Sequence, residues 1–269
     1  MLSHQRLHHL FTERQTQLVR AAMDVAFELF EQPTTLVFQP NDRVVSTKKG
    51  VKGVGVVEAL EDEDAQAYGD RVRVRWEDDG RVYHARAHQL QRYRPRGDRC
   101  AVLLCERTED FRALSAQALP DERALDLGCS WGEGTIRLAR RCAYVLGVDR
   151  SPEALADAAR KLPEALRGRA AYAPPTDLLA APLAAVVGDD AFDVVFLDLG
   201  GVRAAHLVAG LLPEVLRVVA PRLVVVKSVE FARAVAALPD RSGACDVLCA
   251  RALAWHDARV ARKRALNAG

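Results

Sequence analysis

The chain has 269 residues, enough for one large domain or two smaller ones with a sizeable core. Hydrophobic residues make up 49% and charged residues 28%, and no stretch approaches the roughly 18 uncharged apolar residues of a membrane-spanning helix, which excludes a helical membrane protein and a disordered chain. With 38 basic against 36 acidic residues the formal net charge is +2, so any polyanionic partner must be held by a local patch.

Cys100, Cys105, Cys129, Cys142, Cys245 and Cys249 are scattered without a CxxC pair. That pattern points away from a disulfide framework or zinc site and towards reduced thiols in a cytoplasmic compartment. Glu13, Asp24 and Glu28 interrupt the start of the chain, and no apolar run precedes a small-residue cleavage site, so no secretory signal is expected. Leu18, Ala22, Val25, Ala26 and Leu29 recur at helical spacing before Pro33. This predicts a helix from Thr12 to Glu31 within an N-terminal segment, 1–36.

From 37 to 96 the character changes to short Val-rich runs, DRVVS, GVGVVEAL, DRVRVRW and RVYHA, separated by polar and glycine-containing breaks. In RVRVRW, Val72 and Val74 alternate with Arg71, Arg73 and Arg75, which puts an apolar face opposite three guanidinium groups. A closed or half-closed barrel of five strands would bury the valines. The run from Gly69 to Tyr93 resembles the later strands of SH3-like barrels of the Tudor and Mib/HERC kind.

After a hinge at Pro95, Arg96 and Gly97, the stretch 97–269 alternates strand-like runs with helix-length segments, which predicts α/β architecture with a mainly parallel, Rossmann-like sheet and flanking helices. Strands are expected at 123–128, 144–149, 170–173, 192–198 and 222–228, with helices at 133–142, 152–162 and 202–219. A further strand in ACDVLCA and a helical, basic tail would complete the chain.

The chemistry concentrates in ALDLGCSWGEGT, where Asp126 ends an apolar strand and Gly128 and Gly132 punctuate the turn into a helix. Such glycines let backbone approach a ligand, and the helix start offers free N–H donors. Asp149 ends the next strand 23 residues on, where a carboxylate can grip a ribose diol. These residues resemble class I S-adenosylmethionine-dependent methyltransferases, whose first motif is acidic-x-Gly-x-Gly-x-Gly; Ser130 stands at the middle glycine. The resemblance implies S-adenosylmethionine as cofactor and no metal. Asp126 would lie near its methionine end, and the turn Gly128, Cys129, Ser130 and Gly132 would line it. Asp149 and the adjoining Arg150 would meet the ribose, and Asp177 the adenine amino group. A dinucleotide reading fits less well, because Glu133 stands at the helix start where it would repel a pyrophosphate.

Asp198 ends FDVVFLD, and Lys227 ends LVVVK in a chain with six lysines among its 38 basic residues. Together they resemble two members of the Lys-Asp-Lys-Glu set of FtsJ-like ribose 2′-O-methyltransferases, which implies catalytic roles for both: an ammonium beside a hydroxyl stabilises the attacking alkoxide. The remaining two members have no good match; only Arg107 or Arg112 could stand for the first lysine, and Glu230 is too close to Lys227 to serve as the last. The site reads Asp198-Leu199-Gly200-Gly201 rather than NPPY or DPPY, which disfavours an exocyclic amine acceptor.

RNA is therefore the candidate acceptor, held through a basic face of the small barrel formed by Lys48, Lys49, Lys52, Arg71, Arg73 and Arg75, with the acidic EDED at 61–64 opposing it. A small-molecule or protein acceptor, or cofactor binding without catalysis, remains open. Trp76 and Tyr83 could begin an aromatic cage, though core or rim packing is the simpler role. His84 and His88 are spaced for one face of a helix but lie in strand-like sequence, so they do not suggest a metal site.

Overall fold

The structure is a computed structural model that describes residues 25–30, 37–60, 67–97, 100–200 and 205–236. Its larger element is a seven-stranded sheet in the order β1-β7-β12-β11-β8-β9-β10. The strands are β1 (Val25–Leu29), β7 (Cys100–Cys105), β8 (Arg123–Leu127), β9 (Tyr144–Val148), β10 (Ala170–Tyr172), β11 (Val194–Leu197) and β12 (Leu223–Lys227). Every pairing in it is parallel.

Parallel sheets need both faces covered, and these strands accordingly read as continuous apolar runs. One face carries Val102, Leu104, Leu125, Leu127, Val195, Leu197, Val224 and Val226 against helices α5 (Ala205–Val218) and α6 (Val229–Ala236). The other carries Leu103, Ala124, Phe196 and Val225 against α1 (Thr108–Ala113) and α2 (Glu133–Ala139). Helix α3 (Pro152–Lys161) joins β9 to β10, capped by Ser151, whose hydroxyl accepts from Ala154 N at 3.1 Å. A short α4 (Ala184–Val187) precedes β11. The chain runs outward through β8, β9 and β10, then returns to the other side of β8 with β11 and β12. Reversal at β8/β11 opens a crevice at the carboxyl ends of these strands.

The five strands expected from β8 to β12 are present, but the helix expected at 12–31 is corrected in its last part. Val25–Leu29 is an edge strand in register with Cys100–Leu104. Residues 1–24 lie outside the described set, as do ACDVLCA and the basic tail. The sheet is therefore extended past β12 by two strands that precede the motif in sequence.

The smaller sheet is antiparallel, in the order β5-β4-β3-β2-β6, built from β2 (Arg43–Ser46), β3 (Gly55–Val57), β4 (Arg71–Trp76), β5 (Val82–Arg86) and β6 (Leu90–Arg92). A 3₁₀ turn, Ala87–Gln89, leads into β6, which pairs with β2. Val44, Val57, Val74, Trp76 and Leu90 form its core. Five strands and a buried valine face match expectation, but β5 and β6 are opposite edges and do not pair, so the hydrogen-bonded circuit is open rather than closed.

This sheet packs on the amino-terminal ends of the large sheet's strands. Arg141, just beyond α2, donates to Ser46 O at 2.6 Å, and Val45 and Val54 pack with Ala116. The tie is Arg222, immediately before β12. Its guanidinium is 3% exposed, pairs with Glu122, donates to Arg94 O at 2.5 Å and Gln117 O at 2.6 Å, and lies 5.0 Å from the Tyr93 ring centroid. Removing one partner of such a pair leaves a charge uncompensated in a dry interface. Glu122→Ala is expected to lower stability by roughly 3–5 kcal/mol, with part of the loss recovered in the Glu122→Ala/Arg222→Met double variant. Urea unfolding midpoints measure both.

Candidate functional site

A cleft of about 380 Å³ opens at the carboxyl ends of β8, β9, β10 and β11. Its rim is drawn together at Gly128, where φ is 82° and a β-carbon would collide with the Asp198 carbonyl oxygen. The N–H groups of Gly128 and Cys129 both reach Val148 O, at 2.8 and 3.1 Å, tying the motif to the end of β9. Ser130 holds φ 48°, the left-handed conformation for which glycine is the usual residue, and its N–H donates to Asp149 Oδ2 at 2.9 Å.

Asp149 is fixed from both sides, because Ser151 N–H donates to its other oxygen at 2.9 Å. Each carboxylate oxygen keeps lone pairs for a further donor. Arg150, Ser151, Thr176 and Asp177 share the cleft, with Leu178 and Leu179 as apolar lining. Asp177 caps its own turn by accepting from Leu179 N at 3.0 Å. Ser151, Thr176 and the leucine pair were not singled out from the sequence. Ser151 alone carried a local signal, the Ser-Pro-Glu start of a helix.

Asp198 lines the far side, and Lys227 Nζ lies 2.7 Å from its Oδ2, with the two side chains 21% and 13% exposed. Gly200 N–H donates to Asp198 Oδ1 at 3.0 Å. The expected pair is thus assembled by the parallel register of β11 and β12. Nearby, burial pushes the Cys105 thiol up to about 12, with the charges of Asp110 and Asp198 adding to it. Arg107 is taken up by Asp110 and Arg112 by Glu133, so neither guanidinium joins the Lys227 pair.

Three motif residues stand behind the wall of the cleft. Gly132, φ 79°, lies where a β-carbon would come within 2.7 Å of Ala158 Cβ, so it serves packing between the turn and α3. Cys129 is buried, and burial first, then the neighbouring Asp126 and Asp149, pushes its thiol up. Asp126 is 2% exposed and accepts from Thr135 Oγ1 at 2.7 Å. Gly134 lies over it, with a hypothetical β-carbon 2.9 Å from Oδ2. Trp131 is 47% exposed, beside the Lys161 ammonium at 5.6 Å, and does not block the cleft.

Residues 124–222 match a family model described as a methyltransferase domain. The cofactor of this stretch is S-adenosylmethionine. A curated relative, the magnesium-protoporphyrin O-methyltransferase of Rhodobacter capsulatus, is 39% identical over 71 residues, 25% of this chain and 32% of that protein, so the match spans about a third of the relative's length. Among solved structures, precorrin 8w decarboxylase from Methanobacterium thermoautotrophicum is 21% identical with a TM-score of 0.36, covering 45% of this chain and 63% of that one. An S-adenosylmethionine-dependent methyltransferase from Thiobacillus denitrificans, in complex with S-adenosyl-L-homocysteine, is 23% identical with a TM-score of 0.33, covering 45% and 47%. The cleft fits such a cofactor: a doubly braced carboxylate faces it, and the approach at Gly128 is closed to any side chain.

No helix among the described residues is long and apolar enough to cross a membrane, and no cluster of His, Cys, Asp or Glu among them is placed to hold a metal ion.

Burial raises the Asp126 carboxyl from 3.8 to about 7; the Thr135 hydrogen bond opposes this, and the charges of Asp198 and Asp149 reinforce it. The native state therefore holds this proton more tightly than the unfolded chain. The stabilisation is full below pH about 4 and is lost as pH rises to about 7. Asp126→Asn keeps an acceptor for Thr135 and removes the titration. Its stability relative to the parent is expected to rise across that window and level off above it, as compared by urea unfolding at intervals from pH 4 to 8.

Proposed function

We propose that the chain is an S-adenosylmethionine-dependent methyltransferase acting on an oxygen nucleophile, with RNA as the acceptor class. The observation that carries this reading is the Lys227–Asp198 pair at the edge of a cleft whose other side presents Asp149. Asp149, braced by two N–H groups, would accept from the ribose hydroxyls, Arg150 would flank them, and Asp177 would meet the adenine amino group. The Gly128–Ser130 turn would pass along the cofactor, while Asp126, Cys129 and Gly132 support that turn from beneath.

When bound, S-adenosylmethionine supplies an electrophilic methyl group on a sulfonium sulfur. Lys227 would hold positive charge beside the acceptor oxygen as that oxygen gives up its proton to solvent, an interaction strongest in the transition state. Asp198 would keep the ammonium aimed. An oxygen acceptor also agrees with the name of the Rhodobacter relative, an O-methyltransferase. The small open sheet would hold the substrate.

A small-molecule acceptor is the second reading. That relative's name specifies magnesium-protoporphyrin, and the small sheet packs on the end of the large sheet remote from Lys227. Radiolabelled methyl transfer into fractionated extract, before and after RNase, separates the two: loss of labelled product after RNase supports RNA, and survival in a low-mass fraction supports the second reading.

Asp149→Ala should weaken cofactor binding by about 10- to 150-fold, equivalent to about 1.5–3 kcal/mol for a hydrogen bond to a charged group, as read by calorimetry. Lys227→Met should slow transfer by about 10² to 10³ while leaving cofactor affinity nearly unchanged. A folded Lys227→Met protein with full activity would remove the ammonium from the mechanism.

A further inference from the structure

The small sheet has a feature its strand pattern does not announce. A groove of about 850 Å³ follows β5, which among the described residues pairs only with β4 and forms one edge of the open sheet. Lys48, Lys49 and Lys52 line it, and no carboxylate among the described residues lies within ion-pair distance of any of the three. The other two described lysines are both paired, Lys161 with Asp157 and Lys227 with Asp198. The groove thus gathers every unpaired lysine of the described structure.

Only one of its cations comes from the alternating β4 face. Arg73 and Arg75 converge on Glu58, which leaves Arg71 as the β4 arginine in the groove. Asp78 and Asp79 also line it; Asp79 is matched by Arg81 at 3.6 Å.

Aromatic rings accompany the charge. Tyr68 and His84 stack with centroids 4.2 Å apart and planes 12° from parallel, and the Arg71 guanidinium lies 5.8 Å from the Tyr68 centroid. Tyr83 is 49% exposed and Tyr68 39%, whereas Trp76 is buried in the core of this sheet. Exposed rings beside unpaired ammonium groups suit the stacked bases and phosphates of single-stranded nucleic acid. An acidic peptide would use the charge but not the rings.

Position gives the groove a distinct role. It adjoins Ser46, which is bonded to Arg141 at the amino-terminal side of the large sheet, while Lys227 stands at the carboxyl end of β12. A five-residue strand separates those ends by about 16 Å. We infer that the groove along β5 anchors single-stranded RNA at a point separate from the methyl-transfer face. The inference rests on the RNA reading above for the kind of nucleic acid, and its test does not use methyl transfer.

The test is fluorescence anisotropy of the full chain with a labelled single-stranded RNA of about 20 nucleotides across a salt series, with poly-glutamate as competitor. Lys48→Ala/Lys49→Ala/Lys52→Ala is expected to weaken binding at least about tenfold at low salt and to reduce the slope of log affinity against log salt by about 2, for three lost phosphate contacts. Tyr83→Ala is expected to weaken it about 5- to 100-fold with the slope kept. Saturating S-adenosyl-L-homocysteine, as a ligand for the cleft at the carboxyl ends of the strands, should leave RNA affinity as it was. Circular dichroism melting shows that each variant is folded; should the triple variant unfold, Lys49→Ala alone should lower the slope by about 0.7.

An unchanged slope in the folded lysine variants overturns the inference. So does poly-glutamate competing as well as RNA while Tyr83→Ala has no effect, which marks an acidic peptide site. RNA binding that is lost on saturation with S-adenosyl-L-homocysteine overturns the separation of the two points. RNA bound at the groove without any methyl transfer overturns the proposed function alone, and methyl transfer to RNA with the groove silent overturns this inference alone.

Discussion

The chemistry of this fold depends on one steric constraint, the contact between the ends of β8 and β11. At Gly128 there is no room for a β-carbon, because the Asp198 carbonyl occupies its place. Asp198 N–H donates to Leu127 O at 2.9 Å, and Gly128 N–H donates to Val148 O, so three strand ends are stitched at one point. That stitch sets Ser130 beneath Asp149 and turns Asp198 towards the neighbouring strand. The parallel register of β11 with β12 then places Lys227 beside it. A braced acid and an ion-paired ammonium on opposite sides of one cleft follow from a single missing side chain.

The other end of the sheet is organised by a charge. Arg222 is desolvated, and its cost is offset only where Glu122, two backbone carbonyls and the Tyr93 ring all meet it. Two of those partners, Tyr93 and Arg94, belong to the segment leaving β6. Their contacts with the guanidinium tie the small sheet to the amino-terminal edge. The molecule thus has two poles, a ligand cleft at the carboxyl ends of the strands and an appended sheet at the opposite ends.

Much of this was legible in the residues. Continuous apolar runs marked the buried strands from β8 to β12, and acids at strand ends marked the cleft, since both signals are local. What failed was long-range. The spacing of Leu18, Val25 and Leu29 suits a helix, yet Val25–Leu29 pairs with β7, a partner some 75 residues away that no local pattern reveals. Arg71, Arg73 and Arg75 alternate as an open cationic face should, but Glu58, across the β3–β4 connection, takes two of them. Asp126 heads the motif and reads as a ligand contact; in the fold, Thr135 and Gly134 close over it. The cleft's acids were therefore readable as a set, while which of them face a ligand was decided by packing.

The choice between the two basic side chains carries the last step. Arginine does the structural pairing here: Arg43 with Glu77, Arg107 with Asp110 and Arg222 with Glu122 each engage both carboxylate oxygens. A planar fork suits that task, since its donors are spent on one partner in a fixed geometry. Lysine is a compact point charge with three donors that can turn. At Lys227 one donor meets Asp198, which lines the cleft, where a guanidinium could bind that carboxylate with both arms. In the groove along β5, flexible ammonium groups can follow a phosphate chain whose conformation is not fixed in advance. A chain with 38 basic residues and only six lysines places three of those lysines along one groove with no carboxylate partner among the described residues, and a fourth on Asp198 beside the cleft.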